Sequence, residues 1–164
     1  MKINMKLELK DVPGTLIKVV EPISLHGGNI RSVMHIRTGE GMIVPVEIAF
    51  EVLDESSLNL IKNSLEERKI RVLEIKVEGR TYYEKETHSF MLIGHVIDTD
   101  IMDTIDRLNE VGLVLDLDVL MPSPDEKSSV MMNVDVDKEH SEKLMKVMDD
   151  ICNEKELLLI KSLD

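Results

Sequence analysis

Hydrophobic and polar positions along the chain follow two periods, one of two residues and one of three to four. Apolar residues at every second position from Ile3 to Leu9 predict a β-strand, and the spacing from Leu16 to Ile23 predicts a helix. The same patterns predict strands over 30–37, 44–52 and 70–77, a helix over 58–65 and a turn at 38–41. The predicted order of elements is therefore βαββαβ.

The second half of the chain repeats this order after a polar stretch at residues 79–87. The patterns predict strands over 90–97, 113–121, 130–136 and 157–163, helices over 101–111 and 144–151, and a turn at 122–125. The first helical stripes superpose at an offset of roughly 85 residues, Leu16, Val20 and Ile23 on Ile101, Ile105 and Leu108. The second stripes superpose with one residue more, Leu58, Ile61 and Leu65 on Leu144, Val147 and Ile151. Matched order and matched stripes indicate an internal duplication.

Each half has the element order of a ferredoxin-like sandwich, an α+β fold in which two helices cover one face of a four-stranded antiparallel sheet. We expect a first domain at 1–79, a linker at 80–87 and a second domain at 88–164. A domain of this size buries only a small core. We therefore expect the two domains to pack on each other or on another chain, as in a homodimer or a larger homo-oligomer.

The sheet face without helices differs between the two predicted domains. In the first domain it is charged, with Lys6, Glu8, Lys10, Glu47 and Glu51. In the second domain the first and last strands are apolar on both sides, with Phe90, Leu92 and Val96 beside Met91, Ile93 and Ile97, and Leu157 and Leu159 beside Leu158 and Ile160. Such strands must be covered on both sides. We therefore expect the outer face of the second domain to be an interface with another domain or subunit.

Charge is distributed unevenly and argues against one class of function. Residues 1–82 carry 12 basic and 12 acidic side chains, whereas residues 83–164 carry 8 and 20, so the net charge of −12 lies in the second half. An acidic surface repels phosphate backbones, and aromatic residues for stacking on bases make up only 2% of the chain. We therefore expect no binding to nucleic acid.

The expected cellular location is the cytoplasm. No stretch reaches the roughly 18 consecutive apolar residues of a membrane span, so no membrane association is expected. Residues 1–10 alternate charge with apolar side chains, which is unlike a signal peptide. A lone Cys152 excludes an intrachain disulfide and a zinc site made of several cysteines.

One loop carries candidate binding chemistry, the segment Asp11-Val12-Pro13-Gly14-Thr15-Leu16 between the first strand and the first helix. Gly14 allows close backbone approach, and the helix behind it offers free N–H groups that suit a small carboxylate. Asp11 could meet an ammonium group. The alternative is structural, with Asp11 or Thr15 capping the helix and Pro13 setting its first turn.

A second candidate segment leads from the first helix into the second strand, Gly27-Gly28-Asn29-Ile30. In the structural interpretation it stops the helix, because Gly and Asn tolerate left-handed backbone. In the functional interpretation Asn29 presents its amide beside the loop at 11–16.

The run Leu7-Glu8-Leu9-Lys10-Asp11-Val12-Pro13-Gly14-Thr15-Leu16, followed by Gly28-Asn29-Ile30, resembles an ACT domain. The resemblance implies a βαββαβ module that binds an amino acid and regulates a metabolic enzyme allosterically. It implies ligand binding by Asp11, Val12, Pro13, Gly14, Thr15, Leu16, Asn29 and Ile30, between this loop and the facing strand of a paired domain. The whole chain, with two such units, is similar to archaeal ACT proteins proposed to regulate homoserine dehydrogenase.

The second repeat departs from the pattern of the first. Asp98-Thr99-Asp100 stands where the first repeat has Pro13-Gly14, and Gly112-Leu113-Val114 replaces Gly28-Asn29-Ile30. Three oxygen-bearing side chains can cap a helix but oppose a bound carboxylate. We therefore expect the second domain to have lost or changed its ligand site and to serve as a pairing or partner domain.

Other candidate sites point away from catalysis. His88 and His95 lie seven residues apart, so on a regular strand they face opposite sides and cannot both bind one metal. Cys152 ends an amphipathic helix, which favours core packing over nucleophilic chemistry. The chain shows no nucleophile beside a base, no metal cluster and no cofactor loop. We expect neither a cofactor nor a metal.

These observations favour a non-catalytic amino-acid-binding regulator. The resemblance implies an amino-acid biosynthetic enzyme as its partner, homoserine dehydrogenase or another enzyme of the aspartate family. The alternative is a ligand-free oligomerisation or scaffold module for a metabolic enzyme, which the acidic second half and its two-sided apolar strands fit equally well.

Overall fold

The chain divides into two units between Glu84 and Lys85 in a computed structural model that describes residues 1–35, 42–123 and 126–162. The turn expected at 38–41 lies outside the described residues, and so do Pro124 and Asp125 of the second expected turn and Leu163 of the last expected strand. Among the helices that the structure describes, none is long and apolar enough to cross a membrane.

The first unit has the predicted βαββαβ order. Its elements are β1 (Lys2–Lys10), α1 (Ile17–Leu25), β2 (Asn29–His35), β3 (Ile43–Glu51), α2 (Glu55–Glu67) and β4 (Arg71–Val77). The strands are antiparallel and lie in the order β4-β1-β3-β2. The helix α2 begins after Asp54, whose carboxylate accepts a hydrogen bond from the Ser57 amide at 2.8 Å.

The second unit repeats this arrangement. Its elements are β5 (Arg80–Gly94), α3 (Ile101–Asn109), β6 (Leu113–Leu120), β7 (Ser128–Asp137), α4 (Ser141–Glu154) and β8 (Leu158–Lys161). The strands are antiparallel in the order β8-β5-β7-β6, which matches the order of the first unit position by position. The predicted α+β class, with two ferredoxin-like sandwiches in tandem, is confirmed.

Residues 80–87 are regular structure, where the sequence analysis expected a linker. They form the first part of β5, and Arg80 to Glu84 pair with β4 as a fifth strand of the first unit. The reason is Tyr83, whose ring packs against the first core and has the Lys62 ammonium 4.2 Å from its centre. The adjacent Tyr82 adds a second contact with α2, since its hydroxyl donates to the Glu55 carboxylate at 2.7 Å.

Period-two alternation decides which side chains enter each core. In β1 the odd-numbered residues from Ile3 to Leu9 are buried, and they pack against buried residues of α1 and α2. In the second unit Phe90 and Leu92 of β5 do the same against α3 and α4. Each unit therefore has its own apolar core between its sheet and its helices.

The helix α4 corrects one detail of the duplication. The expected stripe placed Val147 on the buried face, but Val147 is half-buried, and Met148 and Cys152 are buried beside Leu144 and Ile151. The helix α4 is one residue longer than α2, so positions near their C-terminal ends correspond at a larger offset than positions near their starts.

The outer sheet faces differ as the sequence predicted. In the first unit the outer face carries ion pairs, in which the Lys6 ammonium lies 3.7 Å from a Glu47 carboxylate oxygen and 3.3 Å from Glu74. In the second unit it carries an apolar patch, with Met91 and Ile93 half-buried and Leu120, Met131, Leu158 and Ile160 exposed. Asp116 and Asp118 of β6 border this patch.

We predict that Gly28→Ala destabilises the first unit. A Cβ atom at Gly28 would lie 2.5 Å from a methyl carbon of Ile23 and 2.7 Å from the Ile23 carbonyl oxygen. Overpacking of this kind costs about 1–3 kcal/mol of unfolding free energy, measurable by urea denaturation. The control is Gly27→Asn, since Gly27 has a φ of +80° with open space around it and Asn tolerates that backbone. Equal losses in the two variants would contradict the packing explanation.

Candidate functional site

The loop from Asp11 to Leu16 leaves the sheet at the end of β1 and is held by its own backbone. The Asp11 amide donates to the Met42 carbonyl at 2.8 Å, and the Val12 amide donates to the Lys10 carbonyl at 2.8 Å. The Thr15 hydroxyl donates to the Val12 carbonyl at 3.0 Å. Thr15 therefore closes the loop on itself.

The start of α1 has no side-chain cap, so the capping roles considered for Asp11 and Thr15 are wrong. Leu16 occupies the N-cap position, and the helix begins at Ile17, four residues after Pro13. Pro13 therefore does not lie in the first helical turn. Because no side chain caps this helix, its first amides donate to carbonyl groups of the loop.

Fewer free amides remain than the sequence suggested. The Ile17 amide donates to the Gly14 carbonyl at 3.2 Å, and the Lys18 amide donates to the Thr15 carbonyl at 3.1 Å. In the part of the chain that the structure describes, the amides of Gly14 and Leu16 make no hydrogen bond to a backbone carbonyl. Gly14 has a φ of +85° with nothing near a built Cβ, so it gives the loop a left-handed bend and an open surface.

A cavity of about 360 Å³ lies beside this loop. Of the predicted residues, Val12 and Thr15 line it. The rest of its wall comes from the ends of β1 and α2, the start of α1, and the starts of β3 and β4: Glu8, Leu9, Lys10, Lys18, Ile43, Arg68, Lys69, Ile70 and Arg71. Five of these side chains are cationic and one is acidic.

Two of the five cations have acidic partners. The Arg71 guanidinium donates to the Glu8 carboxylate, and the Arg68 guanidinium donates to Glu21 on α1 at 2.6 Å. For Lys10, Lys18 and Lys69, no carboxylate of the described residues lies within 4 Å of the ammonium nitrogen. The cavity is therefore a cationic concavity with incomplete internal neutralisation.

Asn29 and Ile30 do not lie beside the loop within the first unit, which corrects the expectation for Asn29. Asn29 pairs with Glu51, at the end of the sheet where Lys2 lies, whereas the loop leaves from Lys10. Eight residue steps at about 3.3 Å separate these ends by about 26 Å. Ile30 packs against the first core, so its side chain is structural.

In the second unit a side chain caps the helix after the corresponding loop, and the Lys155 ammonium lies beside that loop. Asp100, with a φ of +60°, accepts a hydrogen bond from the Asp103 amide at 3.2 Å, which confirms that an aspartate caps this helix. Lys155, at the end of α4, places its ammonium 2.8 Å from the Asp103 carboxylate, 2.7 Å from the Asp100 carbonyl and 2.9 Å from the Thr104 hydroxyl. The Lys155 side chain is only 8% exposed.

The sequence analysis missed the cations beside the first loop and the role of Lys155. A signal was present, because Arg68 and Lys69 directly follow the stripe of α2 and Lys155 follows that of α4. The helix stripes alone do not show which way these terminal side chains turn.

The remaining candidates are structural in the described residues. His95 lies beyond the end of β5, and His88 hydrogen-bonds Ser141 at 3.1 Å, while that serine donates to Glu86 at 2.7 Å. Cys152 is buried, and burial raises the pKa of its thiol, so it stays protonated and unreactive at neutral pH. Among the described residues, one group has ligand atoms close enough to one another to hold a metal ion. It consists of Asp137, Glu139 and His140, at the end of β7.

Two tandem ferredoxin-like βαββαβ units define a class of small two-domain α+β proteins, and in this chain the loop after β1 of the first unit is bent at a left-handed Gly14. Models of the ACT domain match residues 4–69 and 86–161. The chain belongs to the ACT domain family and contains two ACT domains.

The chain is similar to solved structures at low sequence identity. The acetolactate synthase small subunit from Thermotoga maritima is 12% identical, with a TM-score of 0.38 and coverage of 100% of this chain and 99% of that one. The regulatory subunit of aspartate kinase from Thermus thermophilus is 11% identical, with a TM-score of 0.38 and coverage of 91% of each chain. No curated protein sequence matches the chain.

We predict that Asp103→Asn destabilises the second unit at neutral pH. The hydrogen bond from Lys155 holds the pKa of the Asp103 carboxyl below its ordinary value. A depressed folded-state pKa contributes stability above the unfolded-state pKa, and this contribution is lost as the pH falls through the folded-state pKa. Thermal melts from pH 7 down to pH 3 should show a deficit that shrinks in acid.

The control for this prediction is Asp106→Asn, an exposed position on the same helix. It should follow the wild-type melting temperature at every pH. A deficit in Asp103→Asn that persists unchanged into acid would contradict the electrostatic explanation.

Proposed function

We propose that this protein is a non-catalytic amino-acid-binding regulator of an amino-acid biosynthetic enzyme, homoserine dehydrogenase or another enzyme of the aspartate family. The observation that carries the proposal is the loop of the first ACT domain, where the amides of Gly14 and Leu16 make no hydrogen bond to a described backbone carbonyl and Gly14 has left-handed backbone. The ACT family supports a regulatory role, and the acidic second half is the part expected to meet a partner.

The ligand-binding step follows from the groups that the loop presents. The Gly14 and Leu16 amides would bind the α-carboxylate of an amino acid, at the positive end of α1. Asp11, exposed on the same loop, would receive the ammonium. Val12 and Leu16 expose apolar side chains that would border the ligand.

Asn29 can belong to this site only if it comes from another copy of the domain. It lies about 26 Å along the sheet from the loop of its own unit. A site shared between two copies would couple ligand binding to their association, since the ligand binds fully only when the copies are paired. That coupling would give the bound and free states that allosteric control requires.

We predict that one amino acid of the standard twenty stabilises the full chain in a thermal-shift screen. At about a hundred times its dissociation constant a ligand adds about 2.7 kcal/mol, which raises the melting temperature by roughly 5–10 °C at this length. Asn29→Ala should weaken binding about tenfold, because a hydrogen bond to a charged ligand group is lost. The matched control is Asn63→Ala on the exposed side of α2, which should bind as the wild type does.

A mixing experiment tests whether the site is shared. Val12 is exposed, so Val12→Asp should fold and repel the ligand carboxylate. In an equal mixture of Val12→Asp and Asn29→Ala chains, random pairing would restore about a quarter of the sites. Restored binding in the mixture supports the shared site. If Asn29→Ala binds the amino acid as the wild type does, Asn29 does not belong to the site. If no amino acid raises the melting temperature of the wild type, the proposed function is contradicted.

A scaffold role is the second candidate function, and the apolar patch of the second unit favours it. Leu120, Met131, Leu158 and Ile160 are exposed together, with Asp116 and Asp118 beside them. The charge of the second half complements a partner surface that is apolar with a basic rim. In this function the patch docks such a surface on a metabolic enzyme without a ligand.

We predict that Met131→Glu abolishes a complex between this chain and purified homoserine dehydrogenase in size-exclusion light scattering, because it places a charge in the centre of the patch. The matched control is Met34→Glu, an exposed methionine of β2 on the first unit, which should leave the complex intact. If Met131→Glu instead lowers the mass of the chain alone, the patch pairs two copies and the docking assignment is wrong.

A further inference from the structure

The place of the cationic cavity in the first unit can be compared with the equivalent place in the second unit. Both helices before the last strand end at a basic C-cap residue, Arg68 after α2 and Lys155 after α4. Each is followed by a residue with left-handed backbone, Lys69 with a φ of 59° and Glu156 with a φ of 52°. The next amide of each unit donates back to the helix, Ile70 to Leu65 at 3.0 Å and Leu157 to Cys152 at 2.8 Å. Arg68 and Lys155 are therefore equivalent positions.

The first helices of the two units also correspond position by position. Val19 and Ile23 of α1 are buried, as are Thr104 and Leu108 of α3, which places both pairs at the offset of 85 residues found in the sequence. At that offset Lys18 occupies the position of Asp103. Where the second unit supplies a carboxylate, the first unit supplies another cation.

The electrostatic consequence is opposite in the two units. In the second unit the Asp103 carboxylate meets the Lys155 ammonium at 2.8 Å, so the space beside the loop contains its own ion pair. In the first unit Lys18, Arg68 and Lys69 line the cavity together, and the carboxylate nearest in chain position, Glu21, meets Arg68 from an exposed position on α1. Like charges around a concavity raise the local affinity for an anion.

We propose that the cavity beside the loop of the first unit binds an anionic group, a carboxylate or phosphate of a small metabolite, at the place that Asp103 fills in the second unit. Lys18, Arg68 and Lys69 contact the anion, and Lys10 and Arg71 add to the field. Arg68 retains donor N–H groups besides those bound to Glu21. The volume of about 360 Å³ limits the occupant to a small molecule.

This inference deepens the proposed function. The identity of the natural ligand rests on the proposal that the loop binds an amino acid. The loop amides suit the α-carboxylate, and the cavity accepts a second acidic group on the same molecule or on a separate one. The preference is therefore for acidic over neutral ligands. Binding of a simple anion to the cavity is a property of the chain that can be measured without any amino acid.

The test is a titration of the full chain with inorganic phosphate and with succinate at low ionic strength, followed by amide chemical shifts and calorimetry. Wild-type protein should bind at least one of these anions saturably, with shifts at residues 15–18 and 68–71. Lys18→Asp installs the internal carboxylate of the second unit and should weaken anion binding about tenfold or more, because an ionic contact is replaced by repulsion and by an internal competitor. It should also fold, because the second unit tolerates aspartate at the equivalent position.

The matched control is Lys2→Asp, which makes the same change of net charge at the opposite end of β1 and should bind anions as the wild type does. Binding of phosphate alone, or of succinate alone, assigns the site to that group. Absence of saturable binding by both anions, or equal affinity in Lys18→Asp and wild type, overturns the inference. If neither anion binds saturably while an amino acid still binds the wild type and binds Asn29→Ala more weakly, the inference is overturned and the proposed function stays in place.

Discussion

The register of β1 is the constraint on which the first unit depends. This central strand pairs with β3 and β4. Its odd-numbered residues from Ile3 to Leu9 enter the core, and its even-numbered residues lie on the outer face, where Lys6 and Glu8 form ion pairs. A slip of one residue would exchange these two sets, burying Lys6 and Glu8 and exposing Ile3 and Met5. Burial of an unpaired charge costs far more than any loop contact contributes, so the register is fixed by the core.

Once that register is fixed, the positions of the candidate ligand groups follow. The end of β1 at Lys10 determines where the Asp11–Leu16 loop leaves the sheet, and α1 then returns the chain to the other end before β2 begins at Asn29. The two segments that the sequence singled out are therefore separated by the length of a strand. A fold this small cannot join them within one unit, so the proposed site requires a second copy of the domain.

Sequence patterns predicted the elements of both units because local burial controls them. The alternation from Val44 to Val52 and the stripe of Leu58, Ile61 and Leu65 required no long-range information. The linker was predicted wrongly because Tyr82 and Tyr83 stand among polar residues, and the packing of Tyr83 depends on a core built from distant segments. The site was only partly predictable for the same reason. Gly14 could be found from its spacing, whereas the meeting of Lys18 with Arg68 requires α1 and α2 to be packed together.

The duplication shows how two copies of one fold reach different electrostatic states. In the second unit a single aspartate near the start of α3 neutralises the basic C-cap of α4, and the space beside the loop contains hydrogen bonds of the chain itself. In the first unit a lysine at that position leaves the same space cationic. Because the backbones of the two C-caps are the same, the difference cannot arise from the fold and must arise from these side chains. A repeat that supplies its own carboxylate has no need of an external anion, so in the proposed binding mode the response to such a ligand would be confined to the first unit.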